Sequence, residues 1–306
     1  MNFADLGFQR VAAIAPPVRL ADPAANGQAI LEATVRASAR GASVVLFPEL
    51  AVTGYTCEDL FHSQALLSET RRALAKLARE SAGFPAALIA GAPFQAPDGR
   101  LYNCAFVIQG GRIRGAVPKT HLPNYGEFYE RRWFASGAGA DQEVRDPQLG
   151  EFRLSAKQLF ELGRMTFAIE ICEDLWAPVP ESGAHALAGA QAIFNPSASN
   201  DWVAKADYRR DLVRLQSGRL NAAYVYVSSG PTESTKDLVY GGHAIVAENG
   251  AILAESGRFA LEGTELFADL DLERLDHERA RNMTLAGSPA TRSSYAVVRL
   301  CPAPAL

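Results

Sequence analysis

No two cysteines of this chain stand at a metal-binding or disulfide-forming spacing. There are four, at positions 57, 104, 172 and 301, and no Cys-x-x-Cys among them. A disulfide framework is therefore unexpected, and reduced thiols in a cytoplasmic protein fit best. Structural zinc is unexpected for the same reason. The nearest cluster, Cys57 with Glu58, Asp59 and His62, does not match known ligand spacings, so no metal is expected. Basic charge is also scarce. With a net charge of −4 and only isolated pairs such as Arg71-Arg72, Arg131-Arg132 and Arg209-Arg210, there is no footprint for nucleic acid. No apolar run approaches a membrane span, and Met1-Asn-Phe-Ala-Asp-Leu lacks the basic-then-apolar pattern of a secretion signal. No low-complexity tract interrupts the 306 residues, and 48% apolar composition is enough for one large domain or two small ones.

What is present is a set of short apolar runs that end abruptly in reactive side chains. Thr166-Phe-Ala-Ile-Glu-Ile-Cys172-Glu-Asp-Leu-Trp176 starts as a buried strand and breaks at a thiol followed by two carboxylates. Ser43-Val-Val-Leu-Phe47 is a strand stopped by Pro48 and followed by Glu49. Arg112 to Val117, the second arm of a hairpin turned by Gly110-Gly111, is stopped by Pro118 and followed by Lys119. Carboxyl-terminal strand ends of a mainly parallel sheet gather on one edge, where active sites form. The hairpin makes the placement of Lys119 the least direct of the three.

Around these points the chain alternates strands and helices. Arg10 to Ala15 reads as a strand. Asp22-Pro23 reads as a helix cap leading to a stop at Gly41, and a second helix covers about 64 to 79 with Leu66, Leu67, Leu74 and Leu77 on one side. Ala86 to Ala90, Ala192 to Asn195 and Tyr224 to Ser229 are further strands. Residues 207–222 form a helix with Leu212, Leu215 and Leu220 as its apolar positions. A hairpin at Asn249-Gly250 and the run Glu265 to Leu270 follow. The second half thus repeats the first in outline: strand, helix, strand, hairpin. His121 to Trp133, polar and aromatic, is expected to be a binding loop over the rim. Residues 135–165 are weakly patterned and are expected to be a surface excursion.

Thiol, carboxylate and ammonium together supply what amide hydrolysis requires. Cys172 attacks the carbonyl carbon, and Glu49 accepts the thiol proton and passes it to the departing nitrogen. Lys119 and the backbone N–H after Cys172 hold the developing oxyanion. Taken singly, each has a plainer reading: a core cysteine, a capping glutamate, a surface lysine.

The motifs around them resemble the nitrilase superfamily: Phe47-Pro48-Glu49-Leu50, Pro118-Lys119-Thr-His-Leu-Pro-Asn-Tyr125 and Glu170-Ile-Cys172-Glu-Asp-Leu-Trp176. More narrowly, Thr53-Gly-Tyr-Thr-Cys-Glu-Asp-Leu60, Leu122 to Glu130 and Asn195-Pro-Ser-Ala-Ser-Asn200 resemble the glutaminase domain of glutamine-dependent NAD synthetases, over about Val11 to Asp271. The resemblance implies an α-β-β-α sandwich with Glu49 as general base, Lys119 as oxyanion stabiliser and Cys172 as nucleophile. It implies that Glu130 holds Lys119, and that Tyr55, Tyr125, Glu173, Ser199 and Lys205 meet the L-glutamine. Glu173 would pair with its α-ammonium, Lys205 with its α-carboxylate, and Tyr55 would close the pocket. Some relatives carry arginine where Lys205 stands, and lysine lacks the bidentate grip. Tyr55 and Tyr125 are also readable as packing aromatics, Ser199 as a loop cap and Lys205 as a helix-start charge.

The resemblance implies no cofactor for glutamine hydrolysis. The family's Ser-Gly-Gly-x-Asp-Ser loop, which serves ATP, is absent here, so ATP and deamido-NAD would belong to a synthetase domain or subunit supplied with ammonia by this chain. The chain is then an excised domain or a protein with a separate partner. Its expected organisation is a glutaminase domain over residues 1–275 and an extension or linker over residues 276–306, ending in Cys301-Pro-Ala-Pro-Ala-Leu306. The family implies a homo-oligomer. Two other functions fit less of the pattern: a free-standing amidase or carbamoylase on another small C–N substrate, and a non-catalytic regulatory subunit.

Overall fold

Alternation along the strands sorts the chain into four layers. In β1 (Phe8–Ala15), Val11, Ala13 and Ala15 face one core while Ala12 and Ile14 face another. Successive strand side chains point to opposite faces, so a strand that is apolar at every position is covered on both sides. The computed structural model describes residues 6–286, 288 and 292–301. After β1 come α1 (Pro23–Ala39), β2 (Val44–Leu46), α2 (Gln64–Glu80) and β3 (Ala87–Gln95). β1, β2 and β3 run parallel. The expected cap is formed: Asp22 Oδ1 accepts from the Ala25 amide at 3.0 Å, Pro23 opens α1, and Gly41 follows its end with φ +84°. The predicted stripe of α2 is buried at Leu66, Leu67, Leu74 and Leu77.

β4 (Leu101–Gln109) and β5 (Arg112–Pro118) form the predicted hairpin, with positive φ at both Gly110 and Gly111. Two antiparallel steps, β3 to β4 and β4 to β5, return the chain to the direction of β2. Lys119 therefore emerges on the same edge as Glu49.

Residues 135–165 are not a surface excursion. They contain β6 (Asp141–Asp146), β7 (Gly150–Ser155) and β8 (Gln158–Leu162), which pass the chain from one sheet to the other. β7 pairs with β5, and β8 pairs with β9 (Met165–Ile169). β6 hid itself because it is an edge strand whose buried position, Val144, is surrounded by charged outward residues.

The second half continues with α3 (Glu173–Trp176), α4 (Glu181–Leu187), β10 (Ala192–Ser197), α5 (Lys205–Leu220) and β11 (Ala223–Ser228). β9, β10 and β11 are parallel, and β12 (Ala244–Glu248) and β13 (Ala251–Glu255) extend their sheet antiparallel. β14 (Thr264–Asp271) returns to pair with β1. Helices α1 and α2 cover one sheet, α4 and α5 cover the other, and the inner faces share a core of residues such as Val11, Val44, Ile89, Phe167 and Val225. This is the expected α-β-β-α sandwich. The inward side of α5 is Arg209, Val213, Gln216 and Leu220; Leu215 is 59% exposed.

The expected boundary at residue 275 falls inside α6 (Leu272–Arg281), whose Leu272 and Leu275 join the core between the sheets. After α7 (Met283–Ala286), β15 (Ala296–Arg299) pairs parallel with β8 and completes the second sheet. α6 and β15 are therefore packed into the sandwich. The tail expected after Cys301 lies outside the described residues.

Gly91 shows how tightly the Glu49 turn is seated. A Cβ there would lie 2.2 Å from the Leu50 nitrogen, 2.7 Å from the Pro48 oxygen and 2.8 Å from the Glu49 carbonyl carbon. All three atoms are backbone, so nothing can swing aside. Gly91→Ala is expected to cost about 1–3 kcal/mol of stability, read as a lower urea midpoint at unchanged slope. A wild-type midpoint would show the turn to be loosely held.

Candidate active site

Glu49, Lys119 and Glu130 form a buried chain of charge. Lys119 Nζ donates to Glu49 Oε1 at 2.6 Å and to Glu130 Oε1 at 2.7 Å, and all three side chains are at most 1% exposed. Burial alone would push the ammonium pKa down; Glu130 and Glu49 outweigh it, and it ends well above the ordinary lysine range. One cation between two carboxylates leaves an excess negative charge. The proton affinity of Glu130 is correspondingly raised, by burial first, with Lys119 opposing. Glu49 Oε1 also accepts from Asn103 Nδ2 at 2.6 Å, whereas its Oε2 is buried and has no hydrogen-bond partner among the described residues. That free oxygen is suited to receive a proton.

The two sheets meet at this edge. The Glu49 amide donates to the Ser197 carbonyl at the end of β10, at 3.3 Å. Next to it, Cys172 follows β9 with φ +46° and ψ −100°, an uncommon backbone for a residue with a Cβ. Its amide points to the Pro196 carbonyl at 3.1 Å and to Asn195 Oδ1 at 3.2 Å. Burial, then the Glu49 carboxylate, hold the thiol well above its ordinary range; Lys119 and the Ala198 amide pull the other way. The resting sulfur is thus a protonated thiol in the field of all three charged residues.

The predicted substrate-binding residues divide into two groups. Tyr125 donates to Glu173 Oε1 at 2.8 Å, and both line a cleft of about 590 Å³ with Thr120, His121 and Pro123. Lys205 Nζ donates to Asn200 Oδ1 and lies 4.3 Å from the Trp202 ring centre and 5.2 Å from that of Trp176. Burial pushes the Lys205 pKa down to about 8, with Cys172 opposing. The other two bind the protein's own charged side chains. Tyr55, 7% exposed, donates its hydroxyl to Glu130 Oε1 at 2.7 Å, so it braces the lysine's partner. The Ser199 hydroxyl accepts from Arg209 at 3.2 Å.

Several residues of the site carried no signal. Asn103 was read only as part of a strand. Arg209, fully buried and bound to Ser199, Asn200, Asp201 and His243, stood in the sequence only as half of the isolated pair Arg209-Arg210. Asn195 and Glu127, which hold the Cys172 amide and Asn200, stood only inside longer motifs. Among the described residues no group of three or more His, Cys, Asp or Glu could hold a metal ion, and no helix is long and apolar enough to cross a membrane.

A thiol with a carboxylate acceptor and a fixed ammonium, at the joined ends of two sheets, belongs to the chemistry of carbon–nitrogen bond cleavage. Residues 10–279 match the carbon-nitrogen hydrolase family, and the chain belongs to it. Within it, the chain is 42% identical over 279 residues to the glutamine-dependent NAD(+) synthetase of Mycobacterium tuberculosis, covering 90% of this chain and 41% of that one. It is 31% identical over 255 residues to that of Thermotoga maritima, covering 83% and 40%. The chain thus spans less than half the length of these relatives. The crystal structure of a glutamine-dependent NAD(+) synthetase from Cytophaga hutchinsonii superposes with a TM-score of 0.77 at 26% identity, over 86% of this chain and 43% of that one. A Nesterenkonia amidase from the nitrilase superfamily shares the fold, with a TM-score of 0.68 at 23% identity over 90% and 96%.

The raised thiol pKa is open to measurement in the free protein. Alkylation of Cys172 by a small neutral reagent is expected to keep accelerating with pH beyond about 9, past the ordinary thiol midpoint. A plateau below that point would reveal a thiolate stabilised at rest.

Proposed function

We propose that this chain hydrolyses the side-chain amide of L-glutamine through a Cys172 thioester and delivers the ammonia to a synthetase that makes NAD from deamido-NAD. The observation that carries the reading is the buried Glu49–Lys119–Glu130 chain beside a protonated Cys172. A binding or regulatory module has no use for an ammonium fixed in that position.

As Cys172 Sγ attacks the amide carbon, the free Glu49 oxygen takes its proton, so no thiolate has to accumulate in the closed site. The carbonyl oxygen becomes an oxyanion that Lys119 and the backbone amide after Cys172 stabilise. Glu49 then gives its proton to the departing nitrogen, and ammonia leaves. Water, deprotonated by Glu49, attacks the thioester, and the sulfur departs and recovers its proton as glutamate is released. Glu130, braced by Tyr55, shares Lys119 with Glu49 and so fixes the direction in which its ammonium meets the oxyanion. Glu173, held by Tyr125, meets the α-ammonium and Lys205 the α-carboxylate, while Ser199 lines the loop between them. No cofactor enters this reaction. ATP and deamido-NAD belong to the synthetase, as a domain or a separate subunit, and the setting is cytoplasmic, with a homo-oligomeric assembly.

Ammonia release should be much faster from glutamine than from asparagine or propionamide, and brief exposure to glutamine should leave a glutamyl adduct on Cys172 by mass spectrometry. Equal rates would transfer the reading to a general amidase. Cys172→Ala should abolish turnover while leaving thermal unfolding unchanged, and residual turnover in it would end the nucleophile assignment. Glu49→Gln should also abolish turnover, and should lower the unfolding midpoint because it removes one of the two anions that hold the buried Lys119. The Lys205 ammonium is present below its pKa and lost above it. The kcat/KM for glutamine should therefore fall as pH rises through about 8. Lys205→Met should raise KM about 10–100-fold and remove that limb.

A further inference from the structure

The motif Cys172-Glu173-Asp174 contains a second carboxylate that the reaction above does not use. Asp174 is 2% exposed. Its Oδ2 accepts from the Ile171 amide at 2.8 Å, and its Oδ1 accepts from the His121 amide at 2.7 Å and the Thr120 amide at 3.2 Å. Ile171 immediately precedes Cys172, and Thr120 immediately follows Lys119. One carboxylate therefore ties the nucleophile turn at the end of β9 to the lysine at the end of β5, which lies in the other sheet. The tie is closed by a reciprocal bond, since the Asp174 amide donates to the Ile171 carbonyl at 3.0 Å.

We propose that Asp174 is a positioning residue that sets the Cys172 sulfur and the Lys119 ammonium in a single frame, an inference that rests on the roles given to those two residues above. The Cys172 backbone adopts its positive φ only where surrounding bonds over-determine it. Lys119 is fixed to Glu49 and Glu130 through its ammonium, and the Glu49–Ser197 backbone contact joins the sheets beside Cys172, but neither reaches the backbone that carries Lys119. The Asp174 bridge supplies that tie. Two acceptor oxygens are required for it, one for each segment. Asparagine has the same shape but one oxygen, and its NH₂ group would face a backbone N–H. With its oxygen on the Ile171 side it keeps that 2.8 Å bond and only the long contact of 3.5 Å from the Thr120 amide; it cannot also keep the 2.7 Å bond from the His121 amide.

The test is Asp174→Asn in the full chain, assayed for ammonia release from glutamine, with burst titration of the glutamyl adduct to count competent sites. The expected result is a kcat about 100-fold lower, the size of loss that a misplacement of about 1 Å produces. KM should change less than about threefold, because the groups that bind glutamine remain. A near wild-type kcat overturns the proposal, and so does a loss fully explained by fewer competent sites or confined to KM. Hydrogen exchange of the wild-type protein gives an answer even if the variant does not fold. The amides of Ile171, Thr120 and His121 should exchange slowly and in one cooperative step. Rapid or separate exchange would show that no bridge joins them. A wild-type chain that forms no adduct on Cys172 removes the functional reading as a whole. An active wild type with an equally active Asp174→Asn removes only the positioning role.

Discussion

The site depends on a lysine enclosed by protein and held between two carboxylates. A lone ammonium at the position of Lys119 would be untenable in so dry a place. Two hydrogen-bonded anions make it stable, and removing one partner of such a pair typically costs about 3–5 kcal/mol. The arrangement differs from a simple ion pair in its excess negative charge. Burial first, and the Glu49 carboxylate second, keep the neighbouring thiol protonated, and one buried Glu49 oxygen has no hydrogen-bond partner among the described residues. A site of this kind is poised to move a proton and does not store a thiolate. On the proposed reading, the positive charge is reserved for the oxyanion, which appears only as bonds rearrange, so stabilisation is concentrated in the transition state.

Holding that cluster requires chain segments far apart in sequence to meet at one edge. Topology supplies this in two ways. Parallel strands joined by helices put Glu49 and Cys172 at the carboxyl ends of their sheets, and the double reversal through β4 and β5 brings Lys119 to the same edge. The sheets then lock together there by direct backbone contact between Glu49 and Ser197 and by the side chain of Asp174. Gly91 matters for the same reason, because the Glu49 turn passes too close to β3 to admit a methyl group. The cost of a tight turn, a strained cysteine and buried charge is met by an apolar interior in which β1, β9 and β11 are covered on both faces.

Local chemistry made much of this readable. The cap at Asp22, the stop at Gly41, the Gly110-Gly111 turn and the apolar side of α2 are decided by neighbours a few residues away, and each stands where its residues indicate. The strands β6 and β7 were missed because their patterns are short and charged on the outside, so nothing local separates them from a loop; β8 is apolar but only five residues long. β15 was missed because its partner, β8, lies more than a hundred residues earlier. In α5 the expected apolar positions Leu212 and Leu220 do meet the core, but Leu215 points outward while Arg209 is enclosed. A buried arginine cannot be told from an exposed one by its neighbours in the chain; its acceptors at Asp201 and Asn200 are delivered by the fold.

The sequence by itself determined the layered α/β sandwich, the strand ends bearing Glu49, Lys119 and Cys172, and the motifs that connect them to carbon–nitrogen hydrolases. It did so because strand alternation, proline stops and turn glycines act over a few residues. Only the tertiary structure decided that Tyr55 braces Glu130, that Asn103 holds Glu49, and that Asp174 bridges two sheets. Hydrogen bonds have a reach of about 3 Å, and which donors fall within that reach is set by how distant strands are packed, a property that no single stretch of chain contains.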